Sequence, residues 1–327
     1  MTIPRRSLLQ ALAALPGAAA LSHVFAQTGA DKPIRVVVPF AAGNTLDTAL
    51  RQVAEVIKQN SGQVILVDAK PGGSGIIAAQ NVMQAAPDGS TLLLANTSMF
   101  TINPHTFSRL PYDPEKHFKP VTNFLGAAMV MAVHASVPAN NVAEFVAWAK
   151  ANAGKVSYAS FTAGNSSHFA GVILNQRAGL DMTHVPFNGT PPAVQNLVGG
   201  QVHAAFLPLL AIKPHLESGK VKVLAITSPQ RSPLMPQLAT FREQGFPDLD
   251  IYIWAALVAP AGTPDALIAK LNSEFVKALR SAEIRDKWLA MGFEPLPGTP
   301  EEFTRFAQAE SKRWSEAVKI SGFKASE

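Results

Sequence analysis

Between Ile34 and Ala95 the chain alternates short β-rich apolar runs with amphipathic stretches, and that alternation confines it to a narrow set of folds. Ile34 to Pro39, Val64 to Asp68 and Thr91 to Ala95 read as strands, with helices over Leu46 to Gln59 and Ile76 to Ala85. The order is βαβαβ. A run such as Arg35-Val36-Val37-Val38 shows no polar alternation, so a strand built from it must be covered on both faces. The expected class is α/β, with mostly parallel sheets and helices on both faces.

A second series follows the Pro-rich connector Leu110 to Pro120. Ala127 to Val133 reads as a strand, and Val142 to Ala151 as a helix with Val142, Phe145, Val146 and Ala149 on one face. The pattern continues through Val156 to Ser160, a helix from His168 to Arg177, His184 to Phe187, a helix from Ala193 to Leu197, a strand near Ala204 to Phe206, and Val221 to Thr227. Two strong helix starts mark the last third, Thr263-Pro264-Asp265 and the capping-box sequence Thr299-Pro300-Glu301-Glu302. Their apolar stripes predict that both helices cover the first lobe, with chain crossings near Val121 to Ala127 and Ile253 to Ala259.

The first 26 residues carry an export pattern: Arg5-Arg6, an apolar Leu8 to Leu21, and Val24-Phe25-Ala26 as a small-x-small cleavage point. The apolar stretch is short for a spanning helix, which needs about 20 residues. Arg5-Arg6-Ser7-Leu8-Leu9 fits the twin-arginine pattern loosely, and the general secretory route stays open. With no cysteine in the chain, an exported protein of this kind relies on packing alone. The 301 residues after Ala26 suggest two compact lobes, at about 100 to 200 residues each. The net charge is +5 at pH 7, and Arg5 and Arg6 supply two of those positive charges. The remaining excess is modest and no Lys/Arg block is interleaved with aromatics, which argues against a nucleic-acid partner.

Three polar loops each follow a strand and precede a helix. Gly73-x-Gly75-x-x-Ala78 mimics a dinucleotide fingerprint, but Lys70 and Pro71 intervene and no acidic residue ends a strand about 20 residues on. Its glycines suit an anion better, because they let N–H groups converge at a helix N-terminus. Gly43-Asn44-Thr45-Leu46-Asp47 occupies the same place after the first strand, and Asp47 reads equally as a first-turn partner of the helix dipole or as a ligand contact. The third is Thr162-Ala163-Gly164-Asn165-Ser166-Ser167-His168, which also reads as a Ser-rich N-cap. Ligands of open α/β sheets bind beyond the carboxyl ends of the strands, so these loops are candidate cleft walls.

Catalytic signals are weak. No Gly-x-Ser-x-Gly elbow occurs, and Ser166 or Ser167 beside His168 is adjacency without a directed hydrogen bond. The eight histidines show no metal-ligand spacing. Tyr112, Trp148, Trp254 and Trp314 read as packing residues.

The order of blocks resembles the periplasmic substrate-binding proteins of tripartite tricarboxylate transporters, the Bug or TctC-like family. The blocks are Val38-Pro39-Phe40-Ala41-Ala42-Gly43, Lys70-Pro71-Gly72-Gly73-Ser74-Gly75, Pro87-Asp88-Gly89-Ser90-Thr91-Leu92, Leu110-Pro111-Tyr112-Asp113-Pro114, His184-Val185-Pro186-Phe187, Leu224-Ala225-Ile226-Thr227-Ser228 and Ala259-Pro260-Ala261-Gly262-Thr263-Pro264. The resemblance implies a two-lobed type II periplasmic-binding-protein (Venus-flytrap) architecture. Residues 27–125 with 253–327 would form one lobe and 126–252 the other. It implies capture of a small carboxylate, a dicarboxylate or an aromatic carboxylate, for membrane permease subunits, by a periplasmic monomer with no cofactor and no catalysis. A ligand-sensing role for a signalling receptor and an α/β hydrolase are the alternatives.

Carried over by the resemblance, the proximal wall is Phe40, Gly43, Asn44, Thr45, Asp47 and Ser74 with Asn96, Thr97 and Ser98. The distal wall is Thr162, Ala163, Gly164, Asn165, Ser166, Ser167 and His168, then Phe187, Asn188, Gly189 and Thr190, with Phe206 and Leu207. Asn44 stands where the family commonly has a second Gly, and Phe187 where it has Tyr. His203 and Leu207 replace acidic residues. These departures imply either a more apolar pocket than is usual in the family or, at His203 and Leu207, local repacking alone.

Overall fold

The computed structural model describes residues 32–325; the expected leader, residues 1–26, lies outside the described residues. Among the described residues ten strands are present: β1 (Ile34–Val38), β2 (Ile65–Ala69), β3 (Thr91–Asn96), β4 (Phe118–His134), β5 (Ser157–Ser160), β6 (Thr183–Pro186), β7 (Ala204–Pro208), β8 (Val221–Ile226), β9 (Tyr252–Pro260) and β10 (Glu294–Pro295). The helices are α1 (Thr45–Ser61), α2 (Ile76–Met83), α3 (Asn103–Thr106), α4 (Pro114–His117), α5 (Val142–Ala151), α6 (Ser166–Ala178), α7 (Thr190–Val198), α8 (Leu209–Leu216), α9 (Asp265–Leu279), α10 (Ala282–Ala290) and α11 (Pro300–Ser321).

The strands run in the order β2-β1-β3-β9-β4-β7-β5-β6, with β8 and β10 also paired to β4. Pairing is parallel in the two flanks, β1 with β2 and β3, and β5 with β6 and β7. It is antiparallel wherever β4 or β9 takes part. The fold is thus a mixed α/β sheet, less uniformly parallel than the βαβ pattern alone predicts. The reason is that both expected chain crossings are themselves strands. They pair with each other from Phe118↔Pro260 to Ala128↔Tyr252, with register shifts at Pro120/Thr122 and Asn123/Leu125.

Burial explains the unbroken apolar runs. Along β1, Val36 and Val38 enter one core cluster and Val37 enters another. β7 repeats this, sending Ala204 and Phe206 to one face and Ala205 and Leu207 to the other. Each fully covered Val contributes about 1.5–3 kcal/mol relative to exposure, so any polar residue at these positions would break the strand's fit.

Helix ends follow local chemistry. Asn44 caps α1 by accepting from the Leu46 N–H at 3.0 Å, and Gly62 ends it in the left-handed region at φ 76°. Asn165 caps α6 by accepting from the His168 N–H at 3.0 Å. Thr299 and Glu302 form the expected capping box of α11.

α11 does more than cover one flank. Phe303, near its start, sits in the cluster of Val37 and Leu93, whereas Trp314, Ala317 and Val318 sit with Tyr158 and Phe169. α8 escaped the sequence reading because it is short and Pro214 lies inside it.

Candidate functional site

The carboxyl ends of β1, β2 and β3 reach one sheet edge because the three strands are parallel. Their loops carry the proximal candidates. Asn44 spends its Oδ1 on the α1 cap, leaving its amide nitrogen as a donor, and Gly43, Asn44 and Thr45 are exposed. Phe40 is half-buried against the α1 side of the core. Asp47 is buried and committed internally, since Oδ2 accepts from Arg51 Nε at 2.9 Å and from the Gly43 N–H at 3.0 Å, and Oδ1 accepts from Arg51 Nη2 at 3.0 Å. The Arg51 guanidinium, then the Gly43 N–H, hold its carboxyl below the usual carboxylate range against the opposing effect of burial. Of its two sequence readings, the structure shows a helix-start brace.

Ser74 lies in a single 3₁₀ turn, Gly73–Gly75, at φ 52°, the one non-glycine residue with positive φ among the described residues. Its carbonyl accepts from Asn103 Nδ2 at 3.0 Å, and Asn103 also donates to the Tyr112 hydroxyl at 3.1 Å. Gly75 is required by packing as well as by its φ of 89°, since a methyl group there would strike Met99. That approach sets the second loop against the third. In the third loop Asn96 Oδ1 accepts from the Met99 N–H at 3.0 Å, Ser98 is half-buried, and Thr97 is locked to Trp254. Thr97 Oγ1 accepts from the Trp254 N–H at 2.9 Å and donates to the Trp254 carbonyl at 3.2 Å.

The distal candidates gather in the same way at the carboxyl edge of β5 and β6. The Gly189 N–H donates to the Phe161 carbonyl at 2.8 Å and the Phe187 N–H to the Ser160 carbonyl at 3.0 Å, which ties the two loops together. Thr162, Ala163 and Asn188 are exposed, and Gly164 turns at φ 72°. Phe187 packs beside the β7 core. Thr190 opens α7 after Gly189; Pro191 and Pro192 have no N–H, so the Thr190 amide is the first donor that this helix end offers.

At the start of α6, Ser167 Oγ donates to the Phe206 carbonyl at 2.6 Å. Ser166 is different: the residue is 3% exposed, none of the side-chain hydrogen bonds among the described residues involves its hydroxyl, and Oγ is not among the fully buried unpaired atoms, so it keeps access to the loop surface. It stands at the first turn of a helix whose dipole favours negative charge.

Behind this loop lies a cluster that the sequence reading missed. His168 and His184 stack with centroids 3.8 Å apart, and Tyr158 flanks His184 at 5.1 Å. His168 Nδ1 accepts from the Gly164 N–H at 3.1 Å, so the neutral ring carries its proton on Nε2. The Ser160 hydroxyl donates to the Thr162 carbonyl at 2.9 Å, so His184 Nε2, at 2.7 Å, is the donor to Ser160 Oγ. Burial first, and then the neighbouring His184, push His168 down to about 3; burial pushes His184 down to about 4. Neither imidazole accepts a serine proton, so this Ser–His contact is not a nucleophile with its base.

Three expected contributors sit elsewhere. The side chains of Phe206 and Leu207 are fully buried, on opposite faces of β7. His203 precedes β7 at the opposite end of the strand from the loops, where its Nδ1 accepts from the Ser157 N–H at 3.1 Å. The acidic-to-His203 and acidic-to-Leu207 departures therefore do not make a ligand rim more apolar: one lies at the wrong edge and the other in the core. A cavity of about 650 Å³ also lies away from the candidates, lined by Asn141, Leu224, Leu238 and Gln244 among others. Two of its polar residues are committed to the fold, since Asn141 caps α5 and Gln244 bonds both Val142 N–H and the Leu224 carbonyl.

Strand ends, helix starts and neutral donors thus define the candidate site, and no Lys or Arg is among its residues. The family description "Tripartite tricarboxylate transporter family receptor" matches residues 49–323. The chain belongs to this family. It is 30% identical over 302 residues to Protein BugT of Bordetella pertussis, covering 92% of this chain and 93% of that protein. Among solved structures, R. palustris Rpa4515 with adipate is 30% identical with a TM-score of 0.78, covering 90% of this chain and 98% of that one. MatC (Rpa3494) from Rhodopseudomonas palustris with bound malate is 32% identical with a TM-score of 0.73, covering 88% and 99%. The protein is a periplasmic solute-binding protein of the TctC type, and among the described residues no helix is long and apolar enough to cross a membrane.

Proposed function

We propose that this protein captures a small carboxylate, a dicarboxylate or an aromatic carboxylate, between two lobes and hands it to the permease subunits of a tripartite tricarboxylate-type transporter. The lobes are residues 27–125 with 253–327, and 126–252; the leader is removed near Ala26, and the mature protein acts as a monomer without catalysis. The observation that supports this most is Ser166, a largely buried residue at the start of α6 whose hydroxyl enters none of the side-chain hydrogen bonds among the described residues and keeps access to the loop surface. Such a hydroxyl is free to donate, and a carboxylate oxygen takes that donor in a charge-assisted bond. The proximal loops offer a matching set in the Asn44 amide nitrogen and the amides at the start of α1. Two such sets suit a ligand with acceptors at both ends, as adipate and malate are in the neighbouring structures. A ligand that touches both lobes also shifts the open–closed balance, whereas one that touches a single lobe does not.

The test is a thermal-shift screen of refolded mature protein against aliphatic dicarboxylates and aromatic carboxylates, followed by calorimetric titration of the hits. At 100 times its dissociation constant a binder adds about 2.7 kcal/mol of stability. A saturable carboxylate hit without product formation upholds the reading. The absence of any shift, in protein that has refolded, overturns it.

A further inference from the structure

α11 ends at Ser321, and Gly322 turns the chain in the left-handed region at φ 65°. The Phe323 N–H donates to Ser321 Oγ at 3.0 Å, which fixes the direction in which the next side chain leaves. The ring of Phe323 then lands on the distal loop. It meets His168 edge-on with centroids 5.3 Å apart and Phe169 at 6.1 Å, and it fills the space beside Gly164 so closely that a methyl group there would collide with its Cε1 and Cζ. The loop is therefore held on two sides, by Phe323 on one and by the His168–His184 stack on the other. Two residues further on, the Ala325 N–H donates to the Thr106 carbonyl at 3.0 Å. Thr106 ends α3, and α3 begins at Asn103, whose amide holds the Ser74 carbonyl. One continuous path thus runs from the proximal Ser74 loop through α3 and the C-terminal tail to Gly164 and His168.

We propose that Phe323 is a positioning residue for ligand binding: the tail wedges its ring against Gly164 and His168, which are hydrogen-bonded to each other, while Ala325 anchors to Thr106, and so sets the distal loop against the proximal one. This rests on the reading that the loop from Thr162 to His168 takes one end of a carboxylate ligand. Phe323 acts through the loop, by holding Asn165 as the cap of α6 and thereby aiming the Ser166 hydroxyl. A loop ordered before the ligand arrives binds more tightly than one that must be ordered on binding.

The test uses the mature protein and its Phe323→Ala, Phe323→Leu and Gly164→Ala variants. Two quantities are read: amide hydrogen exchange at Gly164 and His168 without ligand, and calorimetric affinity for adipate and malate. Phe323→Ala is expected to speed exchange at Gly164 about tenfold or more while Tm moves by no more than about 3 °C, because Phe323 is only half-buried and packs at the edge of its core cluster. It is expected to weaken diacid binding by about tenfold, and Phe323→Leu, which keeps apolar bulk against Gly164, to restore both within about threefold. Gly164→Ala should be tolerated better with Phe323→Ala than alone, since one of its two penalties is the collision with the ring. Unchanged exchange and affinity in Phe323→Ala overturns the proposal, as does faster exchange with unchanged affinity. Failure of the unmodified protein to bind either diacid is the failure of the carboxylate reading, visible before any variant is made; exchange at Gly164 then decides the wedge, unchanged rates overturning it and accelerated rates upholding it.

Discussion

The imidazole of His168 lies flat on that of His184, with 11° between the ring planes and both rings neutral. The unfolded chain takes up protons at these positions near pH 6.5, whereas the folded protein resists until about 3 and about 4. The stabilising effect of the neutral pair is therefore whole above about pH 6.5 and is lost as pH falls through that window, at up to about 1.4 kcal/mol per pH unit for each proton. Urea denaturation at pH 7.5, 6 and 5 checks this. His184→Gln, which keeps a donor for Ser160 but cannot take up a proton, is expected to flatten the decline by about half.

Ser166 and Asn44 should part company when each is replaced by Ala. Ser166→Ala removes no internal hydrogen bond, so stability should change by less than about 0.5 kcal/mol, while carboxylate affinity falls by about tenfold or more. Asn44→Ala removes the α1 cap and should cost about 1 kcal/mol of stability as well. Paired calorimetric titration and thermal melts separate the two; equal affinity in Ser166→Ala would contradict the carboxylate reading.

Thr97 holds both backbone groups of Trp254. Thr97→Val keeps the shape and strips the hydroxyl, leaving a buried N–H and C=O without their side-chain partner, so a loss of about 2 kcal/mol or more is expected in urea denaturation. Thr97→Ser should recover most of it.

Much of this arrangement is legible before any coordinates. The unbroken run at Val36-Val37-Val38 required two covered faces, and alternate residues do enter two clusters. Pro300 and Glu302 marked the start of α11 because capping is local chemistry. The contacts that shape the distal loop were not legible. His184 is 16 residues from His168 and Phe323 is 155, and no periodicity links them; only the parallel pairing of β5 with β6 and the course of α11 bring them together. His203 misled for the same reason. Its position relative to a motif says nothing about which end of a strand it occupies.

Asp47→Asn should loosen the first loop. The bidentate Arg51 pairing is lost, and a cost of about 1–2 kcal/mol is expected at pH 7 because Arg51 is largely exposed. Since the folded carboxyl sits below its usual range, the Asp47 contribution is whole above about pH 4 and disappears as pH drops through the folded value. The gap between wild type and variant in chemical denaturation should close there.

Glu310 offers the sharpest contrast between two substitutions. Its Oε2 accepts from the indole N–H groups of Trp254 at 3.4 Å and Trp314 at 3.2 Å, and its Oε1 meets Arg313 Nη2 at 2.5 Å. Burial pushes this carboxyl up, and Arg313 and the two indoles draw it back. Glu310→Leu strands two buried N–H groups and takes from Arg313 its carboxylate partner, leaving it the Asp250 carbonyl, so about 2 kcal/mol or more should be lost; Glu310→Gln keeps an acceptor and should lose less. Tryptophan fluorescence during urea unfolding reads both.

β4 runs for 17 residues without a break, bonded to β9 over its first part and to β7 and β8 over its last. In mechanical terms it is a torsion bar. A change of angle between the two flanks of the sheet would wind this strand, together with whatever give β9 and α11 allow. The load concentrates where the ladder already slips, at Pro120/Thr122, Asn123/Leu125 and, against β8, Met131/Ala132. If a ligand draws the flanks together as proposed, it does work against this strand in proportion to the twist.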